Sequence, residues 1–271
     1  MDPNTLPVRT GLVRPICLDA NSCPVKGRER EQDNGERIIN GGEAQPHAYP
    51  WMVRIIGINS AGAGWLCGGS IISPDYVLTA AHCVDGGTSF RIEAGSHDFS
   101  NTEQASRVTM GCSSCEIIHE EYSFPSNDIA LIKVPTAYQF NDYIKPICIS
   151  NYNVPVGSRG AAMGWGKTGD SASVSQTLQF VDRLKVISNE KAARVYGSNN
   201  INDGIICTRT LYLFGNKGTC QVMIEQIKVL LNVHTVLFLG GAHHKVKTPS
   251  PPSICSGSPA NIFWGDFFCA F

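Results

Sequence analysis

The chain has 271 residues, 42% of them hydrophobic and 17% charged, which suits one two-lobed globular domain or two small ones with a sizeable core. A formal net charge of −1 and the absence of any run of like charges leave no electrostatic case for nucleic acid or a membrane surface as partner. Eleven cysteines point to an oxidising compartment, and their odd number leaves at least one unpaired within the chain.

The first residues, Met-Asp-Pro-Asn-Thr-Leu-Pro-Val-Arg, hold no apolar h-region, so no signal peptide accounts for export and the N-terminal end reads as incomplete. Thr10–Asp19, with Val13-Arg14-Pro15-Ile16-Cys17-Leu18, echoes Tyr143–Ser150, with Ile144-Lys145-Pro146-Ile147-Cys148-Ile149; coincidence and a duplicated fragment both account for it. Residues 24–37 are polar and charged without an apolar period, the pattern of an exposed linker. Short β-branched and aromatic runs follow, bounded by Gly, Asn, Ser and Pro: Trp51–Ile58, Trp65–Ile72, Tyr76–Thr79, Phe90–Ala94, Val108–Met110, Glu116–Ile118 and Ile129–Val134. Strands spaced in this way predict a barrel or sandwich. A sparser group, Ala161–Trp165, Leu178–Val186 and Ile205–Thr208, with a helical stretch at Ser188–Tyr196, predicts a second lobe.

Covalent hydrolysis needs a nucleophile, a base to take its proton, and a group that fixes the base's tautomer. His82 follows an apolar strand in Leu78-Thr79-Ala80-Ala81-His82-Cys83, with Cys67 sixteen positions before Cys83 and available to staple that loop. Asp128 stands in Ser126-Asn127-Asp128-Ile129-Ala130-Leu131, at the mouth of an apolar strand where a buried carboxylate needs a specific partner. Taken singly, each is an ordinary surface, core or turn residue. Cys112-x-x-Cys115 followed by His119 offers three zinc ligands without an evident fourth, against a disulfide or two idle thiols.

In that order, Thr79-Ala80-Ala81-His82-Cys83, Asp128-Ile129-Ala130-Leu131 and Gly164-Trp165-Gly166 resemble the chymotrypsin and trypsin family of serine proteases over residues 38–221. The resemblance implies an all-β fold of two antiparallel β-barrels, with His82 as base and Asp128 as its orienting carboxylate at their interface. It implies an activating cut between Arg37 and Ile38, ahead of Ile39-Asn40-Gly41-Gly42-Glu43-Ala44. It implies a Cys67–Cys83 disulfide and a tether from Cys23 to Cys148, with Cys17 competing for that role. Cys207 meets no cysteine in the preceding helical segment, so its pairing is left open. The position of the Cys112 segment, where the family has an ordinary strand, favours a disulfide or idle thiols over zinc, and no metal or other cofactor is expected.

Gly215-Asn216-Lys217-Gly218-Thr219-Cys220-Gln221 resembles the approach to the family's Gly-Asp-Ser-Gly-Gly-Pro loop, but Val222-Met223-Ile224-Glu225 follows instead. No Gly-x-Ser-Gly-Gly occurs in residues 222–271. By resemblance the missing loop would have supplied the nucleophile, the oxyanion-stabilising N–H groups and the aspartate that receives the Ile38 ammonium. Gly218 takes the pocket-floor position held by aspartate in trypsin-like members, which points to the arthropod chymotrypsin or crustacean collagenase-like branch.

Residues 1–37 thus read as a pro-segment or linker, 38–221 as a truncated peptidase domain, and 222–271 as a divergent tail without turn-bounded strands, substituted by a splicing or reading-frame change. The second barrel is expected to be incomplete, its strand edges open and the chain poorly soluble. Val222–Gly241 is too interrupted by Glu225, Lys228 and His234 for a membrane span. The family and the cysteines place the chain outside the cell, with a protein or peptide substrate and an activating protease or inhibitor as partners. Three functions compete: an endopeptidase whose true ending differs, an inactive homologue that binds partners, and a defective product.

Overall fold

The computed structural model describes residues 42–101, 106–149, 154–166, 173–210, 228–229, 235–238 and 267–270. After β1 (Gly42–Glu43) come seven strands that form one sheet: β2 (Met52–Ile58), β3 (Gly64–Ile71), β4 (Tyr76–Thr79), β5 (Ser89–Ala94), β6 (Val108–Cys112), β7 (Glu116–Ile118) and β8 (Ala130–Lys133). All pairings in it are antiparallel, in the order β6-β5-β2-β3-β4-β8-β7. Successive side chains on a strand point to opposite faces, and in β2 that period buries Val53 and Ile55 while Ile58 reaches solvent. With Ile71, Val77, Phe90, Ile92 and Ile132 they make the core on one side of the sheet. The outermost strands, β6 and β7, are joined by the Cys112–Cys115 disulfide. Those two sulfurs are consumed in a bond to each other, and the zinc alternative loses two of its three ligands.

The second sheet is assembled from β9 (Arg159–Gly164), β10 (Gln179–Ile187) and β11 (Ile206–Thr210), with β1 pairing antiparallel to β10. Between β10 and β11 runs α1 (Asn189–Tyr196), started by Ser188, whose hydroxyl accepts the Lys191 N–H, and ended at Gly197 with φ +88°. It packs Ala192 against Ile187, Ile205 and Cys207. β9, β10, β11 and α1 each lie within two residues of their expectation, whereas β1 was not anticipated.

The tail differs from expectation. β12 (Lys228–Val229) pairs with β13 (Thr235–Phe238), β13 runs parallel to β9, and β14 (Phe267–Ala270) runs antiparallel to β11. The edges of β9 and β11, expected to be open, are therefore covered. Thr-Val-Leu-Phe and Phe-Phe-Cys-Ala combine β-branched and aromatic residues that suit a pleated sheet surface, and their turn residues, Gly240-Gly241 after the first and Gly265-Asp266 before the second, stand on one side only, which hid them from a reading that asked for turns at both ends. The second sheet runs β12-β13-β9-β10-β11-β14, and its end strands β12 and β14 do not pair.

The two sheets meet through Trp51, Met52 and Leu78 on the first side and Met163, Trp165 and Leu178 on the second, with Phe99 between them. Behind Phe99 lies a charged cluster that the sequence does not announce. Glu93 is fully buried; Arg54 Nε donates to it at 2.7 Å, Arg107 Nη2 at 2.5 Å, and Arg91 Nε lies 3.3 Å away. The Arg54 guanidinium stacks on Phe99, 3.6 Å from the ring centroid, and the Phe99 ring meets Trp165 edge-on at 4.9 Å. Gly95 makes the turn into this contact at φ +73°, where a β-carbon would stand 2.2 Å from the Ser106 carbonyl oxygen, so no other residue fits.

Candidate active site

His82 lies in a single 3-10 turn, Ala81–Cys83, at the end of β4. The small residues before it let the turn sink into the core, where Ala81 is fully buried. Three ties fix it: the Cys67–Cys83 disulfide, the Trp65 indole N–H donating to the Cys83 carbonyl at 2.8 Å, and the Thr79 hydroxyl donating to the Gly68 carbonyl at 2.9 Å. The imidazole is then carried on an anchored backbone.

Asp128 reaches it from the loop before β8. Asn127 takes the left-handed conformation at φ +54° and its amide donates to the Glu121 carbonyl at 3.0 Å, which turns the chain so that Asp128 points inward. The Asp128 side chain is fully buried. Its Oδ1 accepts the His82 backbone N–H at 2.9 Å, and its Oδ2 lies 2.5 Å from His82 Nδ1. A carboxylate is an acceptor only, so Nδ1 carries the proton and Nε2 is left as the basic nitrogen of the neutral ring. Any positive charge gained at Nε2 is stabilised by the same carboxylate. Such a pair can accept a proton from a group placed at Nε2.

Phe124, 55% exposed, stands edge-on to the His82 ring with centroids 6.1 Å apart. The sequence reading passed over Phe124; its only signal is its place four residues before Asp128. The loop carrying both is held from the second lobe by Asn202, whose amide donates to Ser126 Oγ at 3.2 Å, while Asn202's carbonyl accepts from Asn189 at 2.8 Å. His119, considered above as a metal ligand, accepts the Glu121 N–H at Nδ1. His82 Nε2 lies 3.7 Å from Cys83 Sγ, and His82, Cys67 and Cys83 form a compact group whose two sulfurs are already bonded to each other.

Cys148 and Cys207 are each engaged in a disulfide, so Cys207, left open by the sequence, has a partner. Cys23 and Cys17, the competing tethers for Cys148, lie outside the described residues, as do Arg37, Ile38 and Gly218. No helix among the described residues is long and apolar enough to cross a membrane.

A family model described as Trypsin matches residues 38–222. The venom serine protease of Polistes dominula is 32% identical over 185 residues, 65% of this chain and 65% of that protein. Brachyurin of Leptuca pugilator is 37% identical over 187 residues, 68% of this chain and 77% of that protein. The clotting factor G beta subunit of Tachypleus tridentatus is 34% identical over 204 residues, 68% of this chain and 63% of that protein. The chain thus spans slightly under two thirds of the venom protease and of the clotting factor subunit. A solved structure described as that of GrC has the same fold, with a TM-score of 0.62 at 24% identity over 72% of this chain and 84% of that one.

Proposed function

The chain belongs to the trypsin family of serine proteases, and from that premise we propose that it is a family member without peptidase activity, its base and orienting carboxylate formed and its nucleophile lost. His82 is the base and Asp128 the group that fixes its tautomer. The observation that carries the reading is their 2.5 Å contact at an anchored turn, set beside a sequence that leaves the family pattern after Gln221. Acyl transfer needs a hydroxyl whose proton the imidazole takes as it attacks, and N–H groups aimed at the oxyanion that forms. Without the Gly-Asp-Ser-Gly-Gly loop neither is supplied. Loss of the serine alone costs a factor of about 10⁶ in turnover in a related triad, and loss of the oxyanion hole takes away much of the remainder.

On this reading residues 1–37 are a pro-segment, cut between Arg37 and Ile38, and residues 38–221 are the peptidase-like domain. The cut would free an Ile38 ammonium that has no aspartate to receive it, so cleavage would not switch on activity. The chain is secreted, takes protein or peptide as its natural ligand class, and needs no cofactor. Gly218 favours apolar or mixed side chains over Arg and Lys in what is left of the pocket.

One observation favours a binding role over a defective product. Phe124 stands exposed against the His82 ring, on a loop that Asn202 holds from the other lobe. That is a preorganised aromatic surface of the kind that anchors a peptide or inhibitor segment. A serine-directed fluorophosphonate probe, applied to the purified chain before and after cutting at Arg37, is expected to leave it unlabelled. Labelling, or peptide cleavage abolished by His82→Ala, would overturn the proposal. Sequencing the transcript across codons 215–225 separates a genuine tail from an aberrant one.

A further inference from the structure

Glu43 is the second residue of β1, five positions beyond Ile38. Its Oε1 lies 2.8 Å from His97 Nε2, a contact between the segment that follows the cut site and a loop of the first sheet. The His97 side chain is 6% exposed and the Glu43 side chain 56%. An ionised carboxylate only accepts, so His97 Nε2 carries the donated proton, and its Nδ1 is buried without a partner. Among the described residues, the imidazole's one side-chain bond is therefore the one to Glu43.

The main chain of His97 is as tightly committed. Its carbonyl accepts the Leu178 N–H at 3.0 Å and the Trp165 indole N–H at 3.3 Å. The Leu178 carbonyl in turn accepts the Ala44 N–H at 2.8 Å, and Phe99 N–H donates to the Gln176 carbonyl at 2.9 Å. Three stretches of chain, 42–44, 97–99 and 176–180, are thus stitched together around one residue. Beyond it toward the cut site, the only described ladder contact is Gly42 with Phe180.

We propose that His97 is a positioning residue that latches the activation segment at Glu43: chain before Glu43 is detachable after cutting, and Glu43 onward stays docked whether or not the cut is made. The inference rests on the proposed cut after Arg37 only for the word detachable. In this chain, which lacks the loop that would receive the Ile38 ammonium, the latch is the innermost side-chain anchor described for the segment.

Amide exchange on the full, uncut chain tests the latch directly. Glu43→Ala removes an exposed side chain and is expected to leave the protection of Ile55 and Ile92 unchanged while speeding exchange at Ala44 about tenfold or more. His97→Gln, whose amide can place a donor at the same reach, is expected to keep Ala44 within about threefold of the parent. Equal protection of Ala44 in the parent and Glu43→Ala would overturn the proposal. In a second arm, trypsin cuts the chain and an aminopeptidase trims from the new end, followed by mass spectrometry. Trimming is expected to stop before Glu43 in the parent and to run past Ala44 in Glu43→Ala. Trimming past Glu43 in the parent would also overturn the latch, whereas failure of trypsin to cut after Arg37 refutes the cut-site reading and leaves the latch to be decided by exchange.

Discussion

The first sheet is drawn from one continuous stretch, Met52 to Lys133, whereas the second gathers strands from residues 42–43, 159–210 and 228–270. Four of the six pairings in the first join successive strands and close short loops, while β2–β5 and β4–β8 do not. In the second, β1 crosses more than 130 residues to reach β10, and β14 returns more than 50 residues to reach β11. The difference teaches that local alternation specifies most of the half that carries His82 and Asp128, while the β4–β8 pairing that brings those two together is a longer closure. The other half depends on long-range closure, and on a tail that leaves the family pattern.

The sharpest way to break the comparison is to attack the first sheet at its charged centre. Glu93→Ala leaves Arg54 and Arg107, each nearly buried, without their shared carboxylate. Removing one partner of a buried ion pair costs about 3–5 kcal/mol, because the remaining charge stays desolvated. We expect urea unfolding of the first sheet to move to lower denaturant by that amount, followed by Trp165 fluorescence, since Phe99 transmits the loss to that ring. A change below about 1 kcal/mol would show the cluster to be solvated and dispensable.

A smaller effect probes the other half. In Val236→Pro, a residue in the strand between β12 and β9 loses its ladder N–H, which costs about 1–3 kcal/mol when the matching carbonyl is left unsatisfied. The expected outcome is faster amide exchange in β9 and β13 with the first sheet unaffected. Unchanged exchange in β9 would mean that the tail does not cover that edge. Ser188→Ala is smaller still: it removes the hydroxyl that accepts from Lys191 at 3.3 Å, worth about 1 kcal/mol or less, and should loosen α1 alone, read as local exchange at Lys191 and Ala192.

How much of this was legible follows the same division. Tyr76–Thr79 and Glu116–Ile118 were bounded to the residue, because β-branched runs between Pro, Asp and Ser turns have a period of two and little else to be. His82 and Asp128 were legible through their flanking motifs, and their contact spans 46 residues of sequence that no pattern of spacing connects. Glu93 and Arg54 look like solvated strand residues, since only the fold reveals that the face opposite the core is itself covered by Phe99 and the second lobe. His97 was likewise invisible: an isolated histidine carries no periodic signal, and its partner Glu43 lies 54 positions earlier. Strands β13 and β14 were missed because turns at both ends were taken as the mark of a strand, and Gly240-Gly241 and Gly265-Asp266 bound each on one side only.

The mildest change tests whether the first sheet's core holds a flaw of its own. Tyr138 is 4% exposed, and its hydroxyl is buried without a hydrogen-bond partner among the described residues, so burial pushes the phenol well above its usual pKa of about 10. A group whose ionised form is disfavoured in the folded state contributes stability that is intact below the unfolded pKa and is lost as the pH rises past it. The parent should therefore weaken above about pH 10, by about 1.4 kcal/mol per pH unit for this one group, until the folded pKa is reached. Tyr138→Phe removes both the orphaned hydroxyl and the titration. At neutral pH the variant should be as stable as the parent or more so by up to about 1 kcal/mol, since deleting an unsatisfied buried polar group carries little penalty. Between pH 10 and 11 its urea midpoint should fall less steeply than the parent's. Parallel curves across that interval would mean that the hydroxyl finds water or a partner in solution, and that this core is better satisfied than its geometry implies.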